Sequence, residues 1–378
     1  MTFEPPPQNL GLKLHTLKRV VFTVTNDLIY DQRMTRICTS MVRYGYAVTL
    51  VGNSKTGSPS LPDRKYHQKR IPTIFKHGFG FYAEYNFRLF FFLLFTKADI
   101  LCCIDLDTML PVWLCSKLKN TKRVYDAHEY FSQQKEIMTR PGIYKVWKWI
   151  EKTFLPEFID GYTVSQSIVS EFAKEYGVHY KLIRNLPVLK PLISGKVKVE
   201  KIILYQGAVN EARGLEFLIP AMRQVNAKLL IYGDGNFLPQ ARELIDSNNL
   251  QNKVFLKSKV MPGELDAVTQ EAYIGLNLVE NNGLNQYYSL ANKFFDYIQN
   301  ALPQVTMNFP EYKRINDEFE VAILISNLER NSIVTAINHL LDNNDLHQKL
   351  SQNCLKARDT LNWQNEEKKL IDFYNNIS

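Results

Sequence analysis

Residues 286–310 concentrate groups that can handle an anion and a sugar. Ser289 is a suitable N-cap, so a helix is predicted over about Leu290 to Asn300. Phe294 and Ile298 fall on its buried face. Asn292 and Asp296 are four apart and share the other face, with Lys293 beside them. A helix start carries about half a positive charge and several free N–H groups, which suits a phosphate. A carboxylate further along accepts hydrogen bonds from ribose hydroxyls. An ordinary capped helix with a solvated Lys/Asp face fits the same spacing, and spacing alone leaves both open.

Three other places carry chemistry-bearing side chains. His128 follows an apolar run and sits at the carboxyl end of a predicted strand, with Glu129 next to it. Glu129 either orients His128 or caps the next helix. Asn26 and Asp27 occupy the first loop, where Asp27 equally serves as a turn cap. Asp105 and Asp107 suggest a divalent ion, but two carboxylates hold Mg2+ only with substrate phosphates close by. Asp107 also precedes the helical run Thr108–Leu114 as a natural cap, and that reading is preferred.

These groups need a frame. VVFTVT (20–25) reads as a buried parallel strand, followed by a helix over about Arg33 to Tyr44 and a strand at 47–52. Strands at 100–104, 123–125 and 161–164 alternate with helices at about 84–97, 110–118 and 168–176, the last capped by Ser165. Residues 186–200 hold two prolines, a glycine and no helical period, which marks a linker. Alternation restarts with strands at 202–205, 228–232, 254–256 and 274–278, and the chain closes with a helix over about 365–376. The fold class is therefore α/β: two doubly wound, Rossmann-like parallel-sheet domains facing a cleft. The predicted division is a tail at 1–16, domains at 17–190 and 191–360, and a C-terminal helix at 361–378 packing back on the first domain. Neither domain shows Gly-x-Gly-x-x-Gly after its first strand, which argues against a dinucleotide dehydrogenase.

Composition narrows the class further. Among 378 residues, 46 Lys+Arg oppose 38 Asp+Glu, and the excess base falls in the first half. Such a half attracts phosphates or an anionic membrane surface. Nucleic acid is disfavoured, because no helix-turn-helix, RNP or zinc-finger pattern accompanies the charge. Five cysteines without a Cys-x-x-Cys pair argue against a disulfide framework or zinc ribbon and fit a reducing, cytoplasmic compartment. FRLFFFLLF (87–95) is too short to span a bilayer and reads as a buried helix. The surface expected to meet a membrane comprises Lys69, Arg70 and Lys76 with Phe75, Phe79 and Phe81, and Tyr144 to Trp149 with Lys145 and Lys148.

The string Ser289-Leu290-Ala291-Asn292-Lys293-Phe294-Phe295-Asp296-Tyr297 resembles the donor-binding segment of the glycosyltransferase group 1 family (family four, GT-B fold), in its bacterial Ser-Leu-Pro-Asn-Lys-x-Phe-Asp-Tyr form. Other segments are similar to that family: Val24 to Asp27 with Asp31-Gln32-Arg33, Tyr125 to Glu129, Ile183-Arg184-Asn185-x-Pro187, Tyr205-Gln206-Gly207 through Arg213-Gly214-Leu215, and Gly233-Asp234-Gly235. The resemblance runs from about Arg19 to Tyr374.

The resemblance implies a transferase taking a sugar from a nucleotide diphosphate donor to a glycan or lipid-linked acceptor, with retention and without a metal or resident cofactor. It implies polysaccharide or glycolipid assembly at the inner membrane face. Arg213 and Lys293 would neutralise the leaving diphosphate, and His128 would sit by the donor sugar. Asn26, Asp27, Gly207, Gly233, Gly235, Ser289 and Asn292 would surround the donor, with Asp296 on the ribose. The family's first acid, eight residues before Asp296, is here Tyr288, and Glu280 is the nearest upstream acid. Ala208 stands where many relatives carry arginine, and Ala291 replaces the proline. These departures keep two rivals open: a non-catalytic nucleotide-sugar-binding subunit and a nucleotide-sugar epimerase.

Overall fold

The structure is a computed structural model and describes residues 17–29, 31–54, 57–192, 200–260 and 262–377. The expected tail at 1–16 and most of the expected linker lie outside the described residues. The chain divides into two compact units, residues 1–124 and 125–378.

Among the described residues, thirteen strands build two parallel sheets. The first contains β1 (Arg19–Thr23), β2 (Ala47–Ser54), β3 (His67–Pro72), β4 (Ile100–Ile104), β5 (Lys122–Ala127), β6 (Asp160–Thr163) and β7 (Lys181–Leu182). The second contains β8 (Ile202–Gln206), β9 (Lys228–Tyr232), β10 (Val254–Lys257), β11 (Ile274–Asn277), β12 (Gln304–Met307) and β13 (Ala322–Ile325). Their orders are β3-β2-β1-β4-β5-β6-β7 and β10-β9-β8-β11-β12-β13. Each reverses direction once, between β1 and β4 and between β8 and β11. Ligands of such sheets bind beyond the carboxyl ends of the strands flanking that reversal. This is the GT-B type of architecture.

In the first unit, β1 lies between β2 and β4, with Val20 opposite Val48 and Ile100. All five residues of β4 are buried, as a central parallel strand covered on both faces requires. Asp31 caps the helix Gln32–Arg43 by accepting from the Met34 N–H at 2.9 Å. The helix Gly78–Phe95 corrects the expected burial of 87–95. Phe81, Tyr85, Leu89 and Leu93 form a buried ridge at every fourth residue, whereas Phe79, Phe87, Phe91 and Phe95 form a second ridge that is exposed. Two apolar ridges half a turn apart give no amphipathic contrast, so sequence pattern could not tell which faced in.

In the second unit, Ser165 caps the helix Gln166–Tyr176 by accepting from Ile168 N–H at 3.3 Å. That helix start is also held by Glu311, which accepts from Ser167 N–H at 2.9 Å and Gln166 N–H at 3.2 Å. The closing helix, Trp363–Asn375, ties into β6 and the segment after β7. The Tyr374 and Tyr162 hydroxyls lie 3.3 Å apart, Arg184 N–H donates to Glu366 at 2.7 Å, and Trp363 N–H donates to the Pro187 carbonyl at 2.8 Å. Leu186 is buried in the same core cluster as Ile203, Tyr205, Phe294 and Ile298. Burying each such side chain contributes about 2 kcal/mol.

Candidate active site

The second sheet's point of reversal gathers most of the predicted donor residues. Gly207 follows β8 directly, Arg213 lies on the same loop, Glu280 follows β11, and Gly233 follows β9. Around Arg213 the backbone is held in costly conformations. Ala212 and Gly214 both adopt positive φ, 63° and 76°. For alanine this costs about 1–2 kcal/mol, so the surroundings must enforce it. Ala212 N–H donates to Glu216 at 2.9 Å, and its carbonyl accepts from Glu280 N–H at 3.1 Å. A Cβ on Gly214 would lie 2.8 Å from Leu278 Cβ, so only glycine fits there. The Glu280 carboxylate accepts from Asn282 at 2.9 Å.

Lys293 reaches this loop from the helix Asn292–Gln299. Its Nζ lies 3.6 Å from the centroid of the Tyr205 ring. Burial, reinforced by Arg213 and opposed by Asp296, pushes its pKa well below the usual lysine value. Arg213 also acts electrostatically on Tyr205, whose hydroxyl is pushed up chiefly by burial. Gln206 donates to Asp296 Oδ2 at 3.3 Å. Arg213, Lys293 and Asp296 therefore form one electrostatic neighbourhood beside Gly207.

Ser289 does not cap the helix. A short helix, Leu284–Tyr287, intervenes, and the Ser289 hydroxyl donates to the Gln286 carbonyl at 2.9 Å. The N-cap residue is Ala291, with no side-chain cap, and its N–H donates to the Tyr312 hydroxyl at 3.0 Å. Asn292 accepts from Asn185 at 2.8 Å. Tyr288 donates to Glu171 at 3.3 Å.

Gly233 and Gly235 have a local reason to be glycine. A Cβ on Gly233 would sit 1.9 Å from the Gly207 carbonyl oxygen, and one on Gly235 would sit 2.2 Å from that of Val209. They let the loop after β9 lie against the loop after β8.

His128 directly follows the carboxyl end of β5, but its orienting partner is Asp126, whose Oδ2 lies 3.0 Å from Nε2. Asp126 is fully buried. Glu129 instead accepts from Gln134 at 2.6 Å and Asn285 at 3.0 Å. Asn285 also accepts from Tyr130 N–H at 2.9 Å, so the His128 loop is fastened to the segment leading into Lys293. Sequence reasoning missed Asp126. The signal was there, since alternate residues of a strand share a face.

In the first unit, the Asp27 carboxylate pairs with Arg70 at 2.6 Å and accepts from Ile29 N–H at 3.3 Å and from the Ser58 hydroxyl. Burial opposes its ionisation, but these donors hold its pKa below the usual carboxylate value. The Asn26 carbonyl accepts from Asn53 N–H at 3.1 Å. Asp107 does not cap a helix; it accepts from the Thr25 hydroxyl at 2.5 Å. The expected basic, aromatic membrane surface also loses members. Arg70 is taken by Asp27, Lys148 by Glu151 and Glu175 at 2.8 and 2.9 Å, and Phe81 is buried. Among the described residues, no helix is long and apolar enough to cross a membrane.

The fold and site define a class, the GT-B architecture with a polar cluster at the second sheet's reversal. Within it, residues 191–357 match the model of the family "Glycosyl transferases group 1". Sucrose-phosphate synthase from Thermosynechococcus elongatus superimposes with a TM-score of 0.81 at 13% identity, covering 95% of this chain and 98% of that one. Anabaena HepE in complex with UDP-glucose gives 0.73 at 11% identity, covering 95% and 100%. WaaG, a glycosyltransferase involved in lipopolysaccharide biosynthesis, gives 0.72 at 14% identity, covering 93% and 98%. At such identities the likeness is one of fold. No curated protein sequence matches the chain.

Proposed function

We propose that this protein is a group 1 glycosyltransferase that moves a sugar from a nucleoside diphosphate donor to a glycan or lipid-linked acceptor. The observation that carries this reading is Lys293, whose amine lies beside Gly207 at the second sheet's reversal and feels both Arg213 and Asp296 electrostatically. The family match over residues 191–357 supports it. In the reaction, the bond from the anomeric carbon to the diphosphate oxygen breaks and its electron pair leaves with the phosphate. An acceptor oxygen bonds that carbon and gives up its proton. Arg213 meets the growing charge bidentately, where a preorganised donor counts most. An arriving diphosphate opposes the depression of the Lys293 pKa and so favours the charged form of the amine. Asp296 accepts from the ribose, and Asp126 fixes the His128 ring beside the sugar. Retention of configuration is what the family resemblance supports, and no resident cofactor enters this scheme.

The second reading, a donor-binding subunit without turnover, draws on Tyr288, whose hydroxyl is held by Glu171 where relatives carry an acid. Turnover separates the two, since only the enzyme transfers or slowly hydrolyses the donor. The binding test is thermal unfolding across nucleoside diphosphate sugars. A ligand at about 100 times its Kd stabilises by about 2.7 kcal/mol. Arg213→Ala and Asp296→Ala should lose that gain while unfolding normally without ligand. If both variants are stabilised like the parent, the site is elsewhere.

A further inference from the structure

We propose that Glu151 is a positioning residue that acts on His128 through the segment following it, a role that rests on His128 standing beside the donor sugar. Ahead of His128 the chain is held in the sheet, where the Ala127 carbonyl accepts from the Thr163 hydroxyl at 2.9 Å. Behind it, Tyr130, Phe131 and Ser132 are buried, and each is fastened to a helix. The Tyr130 ring meets Phe172 edge to face at 5.3 Å, and its hydroxyl donates to Glu175 at 2.9 Å. Phe131 meets Trp147 in the same manner at 5.0 Å. The Ser132 hydroxyl donates to Glu151 Oε2 at 2.7 Å.

Glu151 stands on the helix Pro141–Phe154 and is fully buried. Its Oε2 also accepts from Lys148 at 2.8 Å and from the Tyr176 hydroxyl at 2.7 Å. Three donors therefore converge on one oxygen. Oε1 is buried with no hydrogen-bond partner among the described residues, so a partial turn of the carboxylate loosens all three bonds and gains none. Lys148 reaches Glu175 as well, at 2.9 Å. Burial opposes its charge, but the two carboxylates hold the Lys148 pKa above the usual lysine value. Buried ionic groups add little net stability, because desolvation offsets their attraction. What they add is direction, since each bond fixes the place of its donor. Lys148 and Glu151 share one helix, and Glu175 and Tyr176 share another, Gln166–Tyr176. Tyr130 and Ser132 belong to neither, so the segment after His128 is what the cluster sets. With Asp126 holding the ring from β5, the imidazole is braced from both sides.

The test is a double-mutant cycle in the full chain. Glu151→Gln is the direct variant; Ser132→Ala, which cuts the link but leaves Lys148 and Tyr176 on Glu151, carries the test if the first misfolds. Turnover is read with the nucleoside diphosphate sugar that most raises the parent's unfolding midpoint. Ser132→Ala should lower kcat about tenfold or more and leave the donor KM within about twofold. In a His128→Ala background the same change should cost nothing further, because an effect carried by His128 vanishes with it. An equal loss in both backgrounds overturns the proposal, since it signals general damage, and so does a parent-like kcat in Ser132→Ala. A His128→Ala variant as fast as the parent overturns the role of His128 and this proposal with it. A parent that binds donor without turnover refutes the transferase reading alone. Positioning is then read from the His128 ring resonance in the nuclear magnetic resonance spectrum, assigned with His128→Ala. Ser132→Ala should shift that line, and an unmoved line overturns the proposal.

Discussion

Replacing Gly233 by alanine tests whether the two loops beneath the proposed donor site are as closely fitted as described. The new Cβ would begin 1.9 Å from the Gly207 carbonyl oxygen and 3.1 Å from Val209 Cγ2. A carbon and a carbonyl oxygen settle near 3.3 Å, so the loops must part by about 1.4 Å. Backbone oxygen cannot swing aside as a side chain would. The parting strains two bonds between the loops, Gly207 N–H to the Tyr232 carbonyl and Val209 N–H to the Asp234 carbonyl, both 2.9 Å. Overpacking costs about 1–3 kcal/mol and each weakened bond a fraction of about 1 kcal/mol, so about 3 kcal/mol is expected. For a domain of this size that lowers the unfolding midpoint by about 6–12 °C. Gly207 in turn lies against Lys293, whose Cε is 3.5 Å from where a side chain would start. Donor stabilisation should therefore fall with fold stability. Differential scanning calorimetry with and without a nucleoside diphosphate sugar reads both. A midpoint within about 1 °C of the parent would refute the reasoning, because no relaxation that small accommodates the overlap.

Asp126→Asn keeps the shape beside His128 but removes the charge. Turnover of the donor should drop about tenfold or more, with little change in donor binding, and an unchanged rate would remove His128 orientation from the mechanism. Arg70→Ala leaves the Asp27 carboxylate, 8% exposed, without its cation, and chemical denaturation should show a loss of about 3 kcal/mol. Because the folded Asp27 pKa lies below its ordinary 3.8, its contribution is present above that pH and is lost as pH falls through the lower folded value. In Arg70→Ala the acid limb of the stability curve should be shallower. A parent-like limb would mean that Asp27 is held by other donors.

The central strands were legible because a strand covered on both faces must be apolar throughout, as at β1, β4 and β8. The edges were not. β3 reads HQKRIP, and only Ile71 in it is buried, so no apolar run announced it. β7 is two residues long. The helix carrying Lys293 was readable from Phe294 and Ile298, yet its start was misplaced by two residues. Ser289 looks like a cap, but the turn Leu284–Tyr287 ahead of it claims the hydroxyl. Arg213 was nameable only by resemblance. The left-handed Ala212 that presents it leaves no trace in composition, since nothing about alanine advertises positive φ. The outward Phe ridge was hidden for the opposite reason: both faces of that helix are apolar.

Lys293 lies so near the Tyr205 ring that the protein carries its own optical gauge. An amine 3.6 Å above a phenol perturbs the ring's near-ultraviolet transition, and moving or charging the amine changes that perturbation. Of twenty tyrosines in the chain, this one lies beneath the amine proposed to meet the diphosphate. A difference spectrum between the parent and Tyr205→Phe isolates its band, so occupancy of the pocket becomes visible without a dye, a label or a coupled assay.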